Sequence, residues 1–407
     1  MYSIHKFFGL LFTISLGVGS LHAQNDSQAT ETIPVQVEFK RPLQMGAENT
    51  EAYLEQLKGK TVGVVANQTS TKDTLHLVDF LLNEKIKVAR VFSPEHGFRG
   101  NADAGEHVKS DTDAKTGLPL VSLYGSNKKP SPEQLKGLDV VVFDLQDVGV
   151  RFYTYISTLH YVMEACAEEG IAVVVLDRPN PNIDVVDGPV RKEGFESFVG
   201  MHPIPILHGM TIGEYAKMIN GEKWLGNGIS CDLTVVPCLN YRRTDNYVLP
   251  IAPSPNLRTR EAIYLYPSLC LFEGTAMSVG RGTDTPFEVY GHPNYGDSST
   301  AFNFTPTPSY GAKHPKLEGE LCRGKNLHQA GKKKMNYLYL SWLIDAYKNT
   351  EVDEFFTKGG NWFDLLAGTD ELRKQIEKGL PETLIRGSWK ADLDAFKEMR
   401  KAYLIYQ

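Results

Sequence analysis

VVVFDLQDVGVRFYTYISTLHYVMEACAEEGIAVVVLDR, residues 140–178, is the stretch whose pattern decides the fold. It opens with an apolar run ending in an acid, V-V-V-F-D-L (140–145), and closes with another, I-A-V-V-V-L-D (171–177). Valine-rich runs of this length mark strands buried on both faces of a sheet. Between them, residues 154–169 place apolar side chains at helical spacing and stop at Gly170, a residue suited to the left-handed turn that ends a helix. Strand, helix and strand in succession predict a parallel βαβ unit.

The same alternation extends outward. Residues 61–67, 88–92 and 121–124 are further β-branched runs, with a helical pattern at 75–83. Downstream, Thr211 with Glu214 three residues on has the form of a capping box for a helix over 210–220, and 233–237 reads as another strand. The fold class is therefore α/β, a Rossmann-like and mostly parallel sheet with helices on both faces, over residues 58–245. Gly- and Pro-rich stretches at 250–256 and 274–293 then surround an apolar segment at 262–272, which predicts loop-dominated structure. Helical spacing returns from 335 to 406, clearest at 364–377 and 390–403. Residues 246–407 are read as a smaller α+β C-terminal domain that completes a cleft.

Length and composition exclude several classes. With 407 residues, 42% hydrophobic and 23% charged, the chain can bury a large core, so disorder and fibrous folds are ruled out. The formal charge is −6 and the one basic cluster is Lys332–Lys334, which argues against a nucleic-acid partner. Lys6 precedes an apolar run from Phe7 to Val18, and Leu21-His22-Ala23 precedes Gln24 in the manner of a cleavage site. Residues 1–23 thus read as a secretory signal peptide, and secretion, most naturally to a periplasm, is expected. The apolar run is too short to span a bilayer comfortably and no Cys follows it, so no stable membrane anchor is expected after cleavage. Residues 24–57 are read as an N-terminal arm, polar and without periodicity over 24–50, which is either a tether or wrapped on the domain. Five cysteines without C-x-x-C spacing suggest buried free thiols, a Cys231–Cys238 bridge being the alternative.

Ligands of open α/β sheets lie outside the carboxyl ends of the strands, so the residues ending each strand are the first site candidates. Asn67 ends the first run, Ser93-Pro94-Glu95-His96 the second, Asp144 with Asp147 another, and Asp177-Arg178 the next. Acids meeting at one rim make an acid/base site, although a strand-end Asp can equally cap the turn or helix that follows. Glu95 is the most informative, because packing does not explain an acid in a polar, Gly-containing loop, and a carboxylic acid there could protonate a leaving oxygen. His96 is read as a hydrogen-bonding partner rather than a metal ligand. Arg99, Arg151, Arg178 and Arg281 either neutralise these acids or grip a substrate carboxylate through the guanidinium fork. Tyr153, with Phe152 and Tyr155, could offer a sugar a stacking face or belong to the core. The chain has no G-x-S-x-G, no H-E-x-x-H and no G-x-x-x-x-G-K, so serine-esterase, zincin and nucleoside-triphosphatase readings lack their signatures. Ser126 to Lys129 fits S-x-x-K and Lys115-Thr116-Gly117 fits K-T-G, but in reversed order and nearly abutting, which marks them as chance.

G-V-V-A-N-Q-T-S (63–70), F-S-P-E-H-G-F-R-G (92–100), F-D-L-Q-D-V-G-V-R-F-Y-T-Y (143–155) and L-D-R-P-N-P (176–181), taken together and in this order, resemble the NamZ exo-β-N-acetylmuramidases, glycoside hydrolase family 171. The resemblance continues through P-I-L-H-G-M-T-I-G-E (205–214), S-P-N (254–256) and F-E-G-T-A-M-S-V-G-R-G-T (272–283). It implies a Rossmann-like domain beside a smaller one, with a cleft between them. It also implies release of N-acetylmuramic acid from the non-reducing end of peptidoglycan fragments, without a cofactor or metal. Glu95 falls on the family's proposed catalytic glutamate. Ala276 stands where the resemblance leads one to expect a larger polar residue, which affects a peripheral contact more than the chemistry.

Taking the residues and the resemblance together, the catalytic candidates are Glu95, Asp144 and Asp147. The substrate-binding candidates are Asn67, His96, Arg99, Arg151, Tyr153, Asp177, Arg178, Glu273 and Arg281. A glycosidase ordinarily needs a second carboxylate, for which Asp144, Asp147, Asp177 and Glu273 are available, unless the substrate's acetamido oxygen attacks instead. Arg99 or Arg281 is expected to bind the lactyl carboxylate that distinguishes muramic acid from glucosamine. The readings from other classes are a non-catalytic muropeptide receptor and an amidase or esterase, the latter lacking a visible nucleophile or metal.

Overall fold

Valines alternate between the two sides of one sheet, which explains why its strands read as unbroken apolar runs. The structure, a computed structural model, describes residues 42–95, 97–98, 111–297 and 299–407. Its central sheet contains β1 (Thr61–Ala66), β2 (Lys87–Ser93), β3 (Asp111–Thr112), β4 (Pro119–Ser122), β5 (Val140–Asp144), β6 (Ala172–Leu176) and β7 (Leu233–Val236). The order is β3-β4-β2-β1-β5-β6-β7, and all neighbours are parallel except β3 with β4. Strand order reverses at β1, which has β2 on one side and β5 on the other. Such a switch point opens a crevice at the carboxyl edge.

Val140 and Val142 of β5 join Val62, Val64 and Val174 in one apolar layer, whereas Val141 and Phe143 join Val65, Val173 and Val175 in the other. The first layer is covered by α1 (Leu77–Asn83) and by short helical turns within residues 46–57; the second is covered by α2 (Tyr155–Glu168) and α3 (Ile212–Gly221). Each such side chain contributes roughly 1.5–3 kcal/mol when fully buried. Residues 46–57, part of the expected arm, bury Ala47, Tyr53 and Leu57 completely. Their turns are only three or four residues long, too short to show a helical period. Gly46 passes so near β6 that a Cβ there would lie 2.4 Å from the Asp177 nitrogen. The expected signal peptide, residues 1–23, and residues 24–41 of the expected arm lie outside the described residues. Among the described residues no helix is long and apolar enough to cross a membrane.

The C-terminal part begins with α4 (Arg260–Leu269), capped by Thr259, whose side chain accepts from the Ala262 N–H. This helix forms most of the apolar segment between the two Gly- and Pro-rich stretches, and it accommodates Pro267 in its last turns. A small antiparallel sheet follows, β8 (Val289–His292), β9 (Phe302–Phe304) and β10 (Cys322–Asn326), in the order β8-β10-β9. After one short helical turn at His328–Gly331 come the longer helices α5 (Ser341–Asn349), α6 (Asn361–Ala367), α7 (Glu371–Glu377), α8 (Glu382–Ser388) and α9 (Lys390–Arg400). The single helix expected over 364–377 is broken at Gly368, whose φ of +72° is left-handed and where a Cβ would lie 2.7 Å from Arg151 Nη2. One hydrophobic core runs from Val65 through α4 to Phe396, so the sheet's second face and the C-terminal helices are packed as one body. All five cysteines are buried and unpaired, and Cys231 and Cys238 form no bridge.

Candidate active site

Pro94 follows the last residue of β2 and carries the chain off the sheet, leaving Glu95 beyond its carboxyl edge. Thr154, at the start of α2, donates from Oγ1 to Glu95 Oε2 over 3.4 Å, and the Tyr155 hydroxyl lies 3.5 Å from the Glu95 carbonyl oxygen. Asn67, at the end of β1, holds that tyrosine: its Nδ2 donates to the Tyr155 hydroxyl at 2.8 Å, while its Oδ1 accepts from Thr69 N and Oγ1 at 2.9 and 2.6 Å. Burial pushes the Tyr155 phenol well above its ordinary value, so it stays neutral. Asn67 therefore acts behind the site by fixing its floor.

Glu95 stands where two cavities join. A pocket of about 60 Å³ has Tyr153, Tyr155, Ser254 and Phe287 in its walls, and a cleft of about 540 Å³ opens beside it. Glu95, Phe152, Thr154, Tyr266 and Arg281 line both. At roughly 10–15 Å³ per water, the small pocket holds on the order of four waters, or a substituent of similar size. The cleft is large enough for a saccharide.

Arg281 and Glu273 form the charged wall of the cleft. Arg281 Nε donates to Glu273 Oε1 at 3.0 Å, and its guanidinium lies 4.8 Å from the Phe287 ring centroid. Burial pushes the Glu273 carboxyl up, but Arg281 and Lys316 outweigh it and hold the group below its ordinary value, so it is ionised at neutral pH. Lys316 is itself fixed by the carbonyl oxygens of Thr275 at 2.6 Å and Glu273 at 3.2 Å. Phe287 has φ +60°, an unusual left-handed conformation for an aromatic residue, which costs of order 1–3 kcal/mol and places it among the strained residues that collect at working sites. Tyr153 lines the small pocket with its hydroxyl committed to the Pro253 carbonyl at 2.8 Å.

The structure places the other strand-end candidates inside the protein, away from both cavities. Asp144 has no exposed surface: Arg178 Nε donates to its Oδ1 at 2.5 Å and Nη2 to its Oδ2 at 2.9 Å, and the same Nη2 reaches the Thr71 carbonyl at 3.0 Å. Asp177 accepts from Thr211 Oγ1 and Gly213 N, both at 2.7 Å, and from the Tyr406 hydroxyl at 2.6 Å, so it braces the start of α3. Burial nevertheless pushes its carboxyl up to about 6. Arg151 is enclosed by backbone carbonyls of Pro189, Ile204 and Leu366 at 2.7–2.9 Å, which tie the sheet to α6. Asp147 accepts from Gly149 N at 2.6 Å but leaves Oδ1 buried without a hydrogen bond, and burial pushes it up to about 7. None of these five lines either cavity. His96 and Arg99 lie outside the described residues.

Several lining residues were not singled out from the sequence: Tyr266 on α4, Phe287, Lys128, Phe198 and Trp362 on α6. Gly280, Gly282 and the Gly-rich loop around them were the available signal for Phe287. For the others there was none, because their spacing fits ordinary packing equally well. Among the described residues no three His, Cys, Asp or Glu side chains gather as a metal site.

A doubly wound sheet with a carboxylic acid over its switch point, beside an arginine-lined cleft of saccharide size, defines an α/β protein of the Rossmann-like kind with a cleft suited to acid catalysis on a small polar ligand. Sequence comparison makes this specific. The profile of exo-β-N-acetylmuramidase NamZ matches in both parts, the N-terminal domain over residues 62–261 and the C-terminal domain over 264–406. The peptidoglycan β-N-acetylmuramidase NamZ of Bacillus subtilis is 42% identical over 381 residues, covering 87% of this chain and 89% of that protein. The chain belongs to the NamZ exo-β-N-acetylmuramidase family. Two crystal structures of DUF1343 family proteins from Bacteroides fragilis share the fold. One has a TM-score of 0.82 at 47% identity and the other 0.74 at 28%; each covers 90% of this chain and 99% of its own.

Proposed function

We propose that this protein is an exo-acting glycoside hydrolase that releases N-acetylmuramic acid from the non-reducing end of peptidoglycan fragments. The observation that carries the reading is the position of Glu95, at the junction of the small pocket and the large cleft. An enzyme that removes one terminal sugar needs a proton donor at such a junction, with a substituent of that sugar in the small pocket and the ring and leaving chain in the cleft. The Bacillus subtilis relative bears the name of this activity, and both domains match the family.

Glu95 is the acid that protonates the leaving oxygen. Among the described residues Glu273 is the other carboxylate lining the cleft, and its pairing with Arg281 keeps it ionised. It is thus suited to steady positive charge on the ring as the oxocarbenium-like transition state develops. Arg281, present in both cavities, takes the lactyl carboxylate. The sequence features of residues 1–23 support export, with wall recovery in a periplasm as the setting.

The test compares wild type and Glu95→Gln on a chromogenic β-N-acetylmuramide, the muramic-acid-terminated disaccharide and the matching glucosaminide. Hydrolysis of both muramides, falling at least 10²-fold in the variant, is expected, since positioned acid catalysis contributes about 10²–10⁴-fold. Binding without turnover in folded wild type would instead establish a muropeptide receptor. Ala variants of Arg99 and Arg281 test the lactyl assignment, and unchanged preference for muramide over glucosaminide in both would overturn it.

A further inference from the structure

Two adjacent lysines follow β4 and meet different fates. Lys129 is neutralised twice, by Glu164 at 2.7 Å and Glu168 at 2.8 Å. Lys128 lines the cleft, holds its ammonium 4.5 Å from the Phe198 ring centroid, and has no carboxylate partner among the described residues. Phe198 is itself backed by Tyr161, nearly parallel at 6.1 Å, and its carbonyl accepts from Ser157 Oγ at 2.7 Å. A cation on a fixed aromatic wall is thereby turned to the cleft with its charge unspent.

Trp362 lines the same cleft. It is 41% exposed and stacks on no other described ring. Ligand-binding clefts are lined largely by apolar and aromatic side chains, and this one has its indole free to take a partner. The helix that carries it is rigid: Arg373 Nε and Nη2 grip Asp364 at 3.0 and 2.8 Å, and Gly274 packs so closely that a Cβ there would lie 2.5 Å from Phe363 Cα. Trp362 and Lys128 line the large cleft but not the small pocket, whereas Glu95 lines both.

We propose that this outer part of the cleft is a subsite for the leaving side of the glycan, where Trp362 stacks on a sugar face and Lys128 meets a carboxylate of the chain beyond it. The inference rests on the muramidase reading above. Peptidoglycan alternates glucosamine with muramic acid, so the first carboxylate on the leaving side sits one sugar past the first leaving residue. The subsite therefore favours a fragment longer than a disaccharide.

The experiment measures kcat and KM for wild type, Trp362→Ala, Trp362→Phe and Lys128→Gln. The substrates are a chromogenic muramide, the muramic-acid-terminated disaccharide and the corresponding tetrasaccharide. Wild type should prefer the tetrasaccharide. Lys128→Gln should erase that preference through KM, more strongly at low salt. Trp362→Ala should raise KM for both oligosaccharides by up to about tenfold, and Trp362→Phe should restore most of the loss. Equal losses on all three substrates, or no loss on any, would overturn the subsite alone. Failure of wild type to hydrolyse any muramide would overturn the muramidase reading and the subsite with it.

Discussion

Asp144 with Arg178 and Glu273 with Arg281 are the same chemistry in two places. The first pair is sealed beneath the strand ends, at 0% and 3% side-chain exposure, and its guanidinium spends two bonds on the acid and another on the Thr71 carbonyl. The second pair stands in the cleft wall, at 26% and 24%, joined by one hydrogen bond of 3.0 Å. In the interior pair each charge exists to satisfy the other. In the cleft pair the acid orients the guanidinium and leaves its other N–H groups for a ligand. A polar residue at a strand end is therefore not enough to define a site: what decides is whether the protein itself exhausts its hydrogen-bonding capacity.

Replacing Asp144 gives the largest effect. Asp144→Ala leaves the Arg178 guanidinium buried without its counter-charge, and breaking one side of a buried pair costs about 3–5 kcal/mol. A denaturant titration should show the midpoint collapsing, with loss of hydrolysis following the loss of folded protein. Glu95→Gln should do the reverse, abolishing turnover while the midpoint stays within about 0.5 kcal/mol of wild type. An Asp144→Ala protein that is fully stable but inactive would break the comparison and return Asp144 to the chemistry.

This contrast also marks how far the sequence could be read. The sheet was legible because Val140 to Phe143 and Val173 to Val175 must be apolar on both sides, and that requirement appears directly as composition. Glu95 was legible because no packing role suits an acid after Pro94. The sorting of Asp144, Asp177, Arg151 and Arg178 into the interior was not, since their partners are as distant in sequence as Leu366, which accepts from Arg151, and Tyr406, which donates to Asp177. Trp362 escaped for a related reason: its helix shows ordinary amphipathic spacing, and only the fold reveals that one member faces a cavity. The packing of residues 46–57 against the sheet was not legible, because three-residue turns leave no period to detect.

Acidification offers an intermediate effect. Burial pushes Asp147 up to about 7 and pulls His208, whose Nε2 lies 3.8 Å from Asp147 Oδ2, down to about 3. A carboxyl with a raised folded value contributes stability that is complete below its unfolded value and is lost as pH rises through about 7. A histidine with a depressed folded value behaves oppositely, contributing stability at neutral pH that is lost as pH falls from about 6.5 toward 3. Between pH 4 and 6.5 the two slopes oppose one another, each bounded by about 1.4 kcal/mol per pH unit. Asp147→Asn removes one of them, so the variant should lose stability on acidification more steeply than wild type. His208→Gln should flatten the same limb. Parallel stability–pH curves for wild type and both variants would show that the two groups titrate as they do in the unfolded chain.

The smallest change in stability belongs to the cleft pair. Glu273→Gln keeps the shape of the side chain and can still accept from Arg281 Nε, but it removes the charge that orients the guanidinium over Phe287. Partly exposed pairs are worth about 0–1 kcal/mol, so the denaturant midpoint should scarcely move. The cleft should feel the change far more than the fold: kcat on the muramide should drop as the ring's developing charge loses its partner, and the preference over the glucosaminide should narrow as Arg281 loses its anchor. A cost approaching that of Asp144→Ala, with both kinetic quantities intact, would make Glu273 and Arg281 a second structural pair. The two regions would then differ only in depth.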